Sequence, residues 1–449
     1  MRWWGISGFL LLLSACASYT PLALPTQVEL PASSASASVD PAQLPFRQLA
    51  SHVYNPADGF DSDEVAMLAL ANNPQLRSAR DALGVARAQA FAAGLLPDPQ
   101  LSMHFDHPTN NFPGTLNGYS YGLDYDVSAL LLRSSNKNAA VAEQLRVNNE
   151  LLWQEWQVVS EARLLFVRLV AEKELMQPLQ AAQAMLQRRY QLSQQALAAG
   201  NVTADFASSE RLALDNVSRQ INQLARDQLQ NQASLNALLG LAESARLDLV
   251  GSSQPAVLDI AAIQAEMARL LRQRPDLQAL QAGYQAQEEK YRGAVLAQFP
   301  ALSVGITRSQ DTTGIDAMGF GVSLSLPIFN RNRGNVAIAR VSRQKLYDEY
   351  QARLNSAFSE IAVALQNLPL LQNQLQHTQQ GAVELQSVVQ RAAQAYQAGN
   401  LTAADYVRLQ TAWLDKQTEV INLTEALAEQ RIALQTLLGP DLPERSKNE

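Results

Sequence analysis

The chain repeats itself about two hundred residues apart, and this constrains its fold more than any other feature. AGNVTA at Ala199–Ala204 returns as AGNLTA at Ala398–Ala403, and ALLGL around Gly240 returns as TLLGP around Gly439, both at an offset of 199. Upstream, NNPQLRSA at Asn72–Ala79 answers QRPDLQAL at Gln273–Leu280, and Pro99-x-Leu101-Ser102 answers Pro300-x-Leu302-Ser303, at an offset of 201. The slip falls between Pro99 and Gly122. A period this long copies a whole domain, not a solenoid unit of about 20–50 residues. Two fused copies and a pseudo-twofold object are expected.

Each copy reads the same way. Asp61 and Asp63 open a helical pattern that runs to about Gly94, with Val65, Leu68, Ala69, Leu76 and Leu83 on one stripe. Pro97 and Pro99 stop it. Leu101, Met103 and Phe105 then alternate with Ser102, His104 and Asp106. After a turn-rich stretch from His107 to Gly118, Tyr119, Tyr121, Leu123, Tyr125 and Val127 alternate with Ser120, Gly122, Asp124 and Asp126. This predicts a β-hairpin at about 99–127, apolar on one face and polar on the other. A long helix is expected from about Ser134 to Ala199, with heptad seams through Leu145, Leu152, Val159 and Phe166 and through Leu151, Val158 and Leu165. Gly200-Asn201 breaks it, and another helix runs from about Thr203 to Leu239.

The second copy repeats the order. A helix is expected from about Asp259 to Leu296, then a hairpin at about 300–328 carrying Leu302, Val304 and Ile306 and returning with Phe320, Val322, Leu324 and Leu326. A long helix from about Arg333 to Ala398 turns at Gly399-Asn400, and a last helix ends at Gly439-Pro440. At 1.5 Å per residue the three helices of a copy measure about 54, 100 and 57 Å. The two short ones together match the long one, so they are expected to stack end to end beside it.

Four amphipathic strands are too few to close a barrel, and an open sheet edge has no partners in lipid. The strands therefore call for an oligomer; three chains would supply twelve. The other reading is a soluble hairpin packed on the helices. The helical parts are too polar for a membrane.

The chain carries a net charge of −7 and 6% aromatics, which leaves no basic footprint for nucleic acid. Its one cysteine, Cys16, excludes an internal disulfide framework. Arg2, an apolar run to Leu13 and then Leu13-Ser14-Ala15-Cys16 read as a signal peptide over residues 1–15, too short to span a bilayer. Leu-Ser-Ala-Cys resembles the lipobox of bacterial lipoproteins, in which Cys16 becomes the lipidated first residue. Ordinary cleavage at Ala15-x-Ala17, leaving a free thiol, is the alternative. Residue 17 is Ala and not Asp, so an inner-membrane retention signal is missing and the outer membrane is the expected destination. Residues 16–60, with Pro21, Pro25, Pro31, Pro41 and Pro45, read as an extended, lipid-anchored strap without a core of its own. The expected division is then 61–250 for the first repeat, 258–440 for the second, and a tail from 441 to 449.

The lipobox, the duplicated helix–hairpin–long helix–Gly turn–helix order and the closing Leu-Leu-Gly of each copy resemble the TolC family of outer-membrane efflux proteins, particularly its lipidated members. GFGVSLSLPIFN at Gly319–Asn330, leading into Arg333-Gly334, is similar to the family's passage from strand to long helix. The resemblance covers essentially the whole mature chain. It implies a mainly α fold with a transmembrane β part: a homotrimer forming a twelve-stranded barrel in outer-membrane lipid, continuous with a periplasmic α-helical barrel. It also implies an exit duct for drugs, toxic organics or metal ions, a periplasmic adaptor docked at the tips Gly200, Asn201, Gly399 and Asn400, and an inner-membrane pump. In that family, carboxylates just past the second tip line the periplasmic constriction. Asp405 matches, whereas Arg408 departs from the pattern, so alternating Asp and Arg rings are expected at the gate. Asp205 and Glu210 stand at nearby spacings after the first tip. The plainer reading of all four is solvated helix surface.

No HExxH, CxxC, phosphate-binding Gly loop or Gly-x-Ser-x-Gly is present, so neither an enzyme nor a cofactor beyond the lipid on Cys16 is expected. His104-Phe-Asp106-His107 could be read as a metal cluster, but alternation makes a passing polar face the better account. A lipid-anchored periplasmic coiled-coil scaffold is the alternative function; it would explain the helices but not the strands.

Overall fold

The computed structural model describes residues 19–27, 30–31, 39–109, 113–251 and 259–439. Cys16, with the predicted signal peptide and lipid anchor, lies outside the described residues, as does the tail beyond 439.

The elements follow the duplicated order. The first repeat holds α1 (Ser62–Asn72), α2 (Pro74–Ala93), β1 (Gln100–Asp106), β2 (Gly118–Asp126), α3 (Val127–Ala198) and α4 (Ala204–Leu238). The second holds α5 (Ile260–Gln273), α6 (Pro275–Leu296), β3 (Ala301–Gln310), β4 (Asp316–Ser325), α7 (Arg333–Gln397) and α8 (Ala403–Leu438).

Two expected helices are in fact broken, and at equivalent places. The single helix read over Asp61–Gly94 divides at Asn73-Pro74, and the one over Asp259–Leu296 divides at Arg274-Pro275. Each proline sits at the first position of the second piece, where its missing N–H costs nothing. The break puts a side chain to use. Asn73 Oδ1 accepts from Leu76 N at 2.9 Å, while its Nδ2 donates to Leu238 O at 2.9 Å, at the end of α4. In the second repeat Arg274 Nη1 donates to Leu437 O at 2.8 Å, at the end of α8. Each repeat thus clips the last turn of its final helix to the break in its first. Gly240, at φ +65°, completes the first junction, because a Cβ there would lie 2.9 Å from Asn72 O.

The first junction is the centre of the main core. Val65 to Leu70 of α1 are all fully buried, an all-round burial possible only for a helix enclosed on every side. They meet Trp156, Val159, Ala162 and Phe166 of α3, Leu235 of α4 and Leu239 just past its end. A capping box starts α1: Asp61 Oδ1 accepts from Glu64 N at 2.8 Å, and Glu64 Oε2 from Asp61 N at 3.0 Å. The N-terminal strap joins this core, which its proline-rich composition did not foretell. Phe46 and Leu49 are buried in it, with the Phe46 ring edge-on to Trp156 at 5.1 Å. The matching core of the second repeat is built from Ile361, Leu365, Leu368, Leu434 and Leu438.

The helix α3 begins at Val127, immediately after β2 and earlier than the expected Ser134. Asp126 causes this, since its carboxylate accepts from Ser128 N at 2.9 Å and Ala129 N at 3.2 Å. With 72 residues α3 is about 108 Å long. It packs on α1, α2 and α4 to one side and on α6 and α8 to the other. The 65-residue α7 packs on α6 and α8 and makes no comparable contact with α1, α2 or α4. The helices therefore form an open layer with α7 at one edge and α2 and α4 at the other.

The four strands form one antiparallel sheet in the order β1-β2-β3-β4. The two hairpins are joined through β2 and β3, where Leu123 faces Ile306 and Tyr125 faces Val304. The sheet edges are β1, which follows α2, and β4, which precedes α7. Sheet and helical layer are open on the same two sides.

Candidate functional site

The sheet separates its residues by face. Register places Leu101, Leu123, Ile306 and Phe320 in one row and Met103, Tyr121, Arg308 and Met318 in the next, while Tyr125, Val304 and Val322 form the row on the helix side. Most of these side chains are exposed, Phe320 at 72% and Met318 at 81%, as is Phe105 in the row beyond. An apolar sheet face this open is at home in lipid, not water.

The opposite face carries Ser102, His104, Asp106, Ser120, Asp124, Asp126, Ser303, Thr307, Ser309 and Ser323, interspersed with Gly122, Gly305, Gly319 and Gly321. Gly305 lies beneath the Asp124 carboxylate, in contact with where its own Cβ would stand. Glycine at that position lets Asp124 lie across the neighbouring strand. The polar face has three aspartates per chain and no Lys or Arg. His107 Nδ1 pairs with Asn117 Oδ1 at 2.8 Å in the β1–β2 loop, and no group of three metal-ligating side chains assembles among the described residues.

At the far end of the helices, Gly200 and Gly399 adopt φ +75° and +77°. Both tips close in the same way. Asn201 N donates to Ala196 O and Asn400 N to Ala395 O, each at 2.8 Å, which satisfies the last carbonyls of α3 and α7. Thr203 and Thr402 then cap the helices that follow. Nothing stands within 4 Å of where a Cβ would be added at either tip glycine.

Asp405 and Arg408 come together within one chain, with Arg408 Nη2 2.9 Å from Asp405 Oδ1. The Arg408 side chain is 79% exposed, and Asp405 is also held by the Thr402 hydroxyl at 2.7 Å. Asp205 is exposed, but Glu210 is not: its side chain is 5% exposed and pairs with Arg189 at 3.0 Å, which corrects its reading as solvated surface. Arg189 Nη2 also donates to Ala403 O at 3.0 Å, in the first turn of α8. One guanidinium of α3 thus ties α4 to the start of α8 beside both tips. Sequence reasoning missed Arg189; its only signal was a long basic side chain 21 residues from Glu210 in an otherwise polar helical stretch.

Midway along the helices lies an acidic cluster that the sequence also hid. Burial pushes Glu425 of α8 up to about 7, helped by the charges of Glu429 and Glu172 and opposed by Arg168. Burial likewise raises Glu172 of α3 to about 6, against a hydrogen bond from Asn231 and with the charge of Asp227 adding to the rise. Arg168 Nε is 2.5 Å from Glu429 Oε1.

Comparison with known proteins places this architecture. Residues 267–440 match the family described as outer membrane efflux protein. Over 402 residues the chain is 28% identical to the cation efflux system protein CusC of Escherichia coli K12, spanning 83% of this chain and 84% of the relative. Over most of its length the chain is similar to TolC-type outer-membrane efflux proteins. It is also 26% identical to the probable outer membrane lipoprotein SilC of Salmonella typhimurium, over 38% of this chain and 40% of that one. The fold matches the crystal structure of the CmeC outer membrane channel of Campylobacter jejuni with a TM-score of 0.71 at 19% identity, covering 96% of each chain. The family that residues 267–440 match is one of outer-membrane efflux channels, not of enzymes.

Proposed function

We propose that three copies of the chain close into a twelve-stranded barrel continuous with a helical tunnel, forming the exit duct of a tripartite efflux system. The observation that carries this reading is the agreement between the two open edges. β1 and β4 end the sheet on the sides where α2 with α4, and α7, end the helical layer. One rotation that pairs β4 of one chain with β1 of the next also brings α7 against the neighbour's α2 and α4. The edges are apolar enough for it: Ile338, Val341, Leu370 and Val383 are exposed on α7, as are Val85, Phe91, Leu212 and Leu229 on α2 and α4. A cyclic closure of this kind satisfies both open edges at once.

In this duct the apolar sheet face meets outer-membrane lipid and the polar face lines the lumen, where its aspartates favour cations over anions. The cargo is small: drugs, toxic organics or metal ions delivered by an inner-membrane pump. Gly200-Asn201 and Gly399-Asn400 present the periplasmic adaptor with two rigid tips, and Asp405 with Arg408 rings the closed end. Cys16 carries the lipid that holds the strap at the membrane. The kinship with a probable outer membrane lipoprotein supports that anchor. Native mass spectrometry of the detergent-extracted protein tests the assembly: the mass of three lipidated chains is expected, and a monomer as the only inserted form would overturn it.

A further inference from the structure

Arg308 is the one Lys or Arg in the four strands, and it stands on the wrong face for an ordinary lumen charge. Strand alternation from Leu302 through Val304 and Ile306 turns it toward the apolar side. Register sets it between Tyr121 of β2 and Met318 of β4. Of the sheet's aspartates, those at 106, 124 and 126 alternate to the other face, and Asp316 stands one row outward on the same face, opposite Gln310. Among the described residues nothing gives Arg308 an ion pair or a hydrogen bond.

Its depth is also defined. The helices leave from one end of the strands, since α3 starts directly after Asp126, whereas Arg308 is near the other end, three residues before the Asp311–Ile315 turn. Around it are rings typical of a membrane-interface girdle: Tyr119 and Tyr121 are 5.4 Å apart, and Phe105 and Tyr121 6.3 Å. The next row outward pairs Tyr119 with Gln310 and Gln310 with Asp316, where the face turns polar. Arg308 therefore lies one row, about 7 Å, inside that boundary. A guanidinium on its three-carbon stem spans such a distance and emerges at headgroup level. An unpaired cation on a lipid-facing surface marks a functional position with a missing partner.

We infer that Arg308 grips a phosphate of lipid A, the phosphoglycolipid of the outer leaflet, holding one such lipid on each chain of the trimer against Tyr121. The guanidinium fork suits a phosphate bidentately, which an ammonium cannot match. Lipid A is the occupant because the end of the barrel away from the helices meets the leaflet in which it carries the phosphates, at the sugar–acyl boundary that Arg308 reaches. The inference rests on the reading of the sheet as part of a closed, lipid-embedded barrel.

The test is native mass spectrometry of wild type, Arg308→Gln and Arg308→Lys, each extracted from vesicles containing lipid A or phosphatidylglycerol, with flotation scored in parallel. Wild type is expected to retain up to three lipid A molecules per trimer, Arg308→Gln about tenfold fewer, and Arg308→Lys an intermediate number. Equal retention by wild type and Arg308→Gln, with both proteins floating with the vesicles, would overturn this inference alone. Arg308-dependent retention of phosphatidylglycerol to the same extent as lipid A would overturn the choice of lipid. Failure of wild type to float would instead strike at the barrel itself.

Discussion

Arg274 Nη1 donates to the carbonyl of Leu437 at 2.8 Å, joining the break between α5 and α6 to the last turn of α8. The guanidinium is wholly buried, forms a salt bridge to Asp276 at 2.7 Å, and lies 5.0 Å over the Trp153 ring of the first repeat. One side chain thus joins three helices and both repeats. Removing it leaves Asp276 with only Arg353, at 2.8 Å, and strips Leu437 O of its donor. Breaking a buried pair from one side costs about 3–5 kcal/mol. Arg274→Ala should therefore lower the thermal midpoint of the detergent-solubilised protein clearly more than Asn73→Ala, which loses only neutral hydrogen bonds. Equal effects would show that the charge adds nothing to the clip.

Asp276 also sets an acid limit. Burial raises its pKa, but the hydrogen bonds and charges of Arg274 and Arg353 outweigh burial and hold it below the ordinary value of 3.8. A carboxyl depressed in the folded state contributes stability that is present above its unfolded pKa and is lost as pH falls through the folded one. The stability advantage of wild type over Asp276→Asn should accordingly be full above about pH 4 and shrink as pH falls below it. Circular dichroism across an acid titration checks this.

The cluster in the middle of the helices behaves in the opposite sense. Glu425 and Glu172 are raised, to about 7 and about 6, so their ionised forms are disfavoured in the folded protein. Stability should fall as pH rises from the unfolded carboxylate range, about 4.5, through these values. Glu425→Gln should flatten this slope and raise the thermal midpoint at pH 7.5 while leaving it nearly unchanged at pH 4.5. A variant as pH-dependent as wild type would remove Glu425 from the effect.

The tips can be tested without steric ambiguity. A Cβ at Gly399 would touch nothing, so the cost of a side chain comes from φ +77° alone. That cost is of order 1–2 kcal/mol for a β-branched residue and smaller for Asn. Gly399→Val should abolish export and leave membrane insertion intact, since the sheet is about 100 Å away; Gly399→Asn should export normally. Normal export by Gly200→Val/Gly399→Val would show that the turns are not docking elements.

The closed end offers two sets of contacts. Asp405 and Arg408 form an exposed i,i+3 pair, worth at most about 0.5 kcal/mol on the helix surface alone. Arg189 holds the buried Glu210 and the first turn of α8 together. Arg189→Ala should raise resting conductance more than Asp405→Ala with Arg408→Ala in the same chain. The reverse order would show that the Asp405–Arg408 ring, and not the Arg189 clip, holds the end closed.

The hairpins were legible in the sequence because a two-residue period over Leu101–Phe105 and Tyr119–Val127 has no helical interpretation. The tips were legible through Gly-Asn and its recurrence. The helix breaks were not. Asn73-Pro74 and Arg274-Pro275 lie inside continuous apolar stripes, and their recurrence advertised the duplication before it advertised a junction. Nor could the pairing of β2 with β3 be read, since the register between strands of different repeats is set by three-dimensional closure. Arg189, Arg274 and the Glu172–Glu425 cluster look like surface charges in polar helices. Only the packing of helices distant in sequence buries them.

The most direct test of the duct is the conductance of the purified, vesicle-inserted oligomer in planar bilayers. Discrete conductance steps are expected, selective for cations by reversal potential, with the selectivity reduced in Asp124→Asn. A fully inserted protein that conducts no ions, with or without the Arg189→Ala substitution at its closed end, would contradict the account.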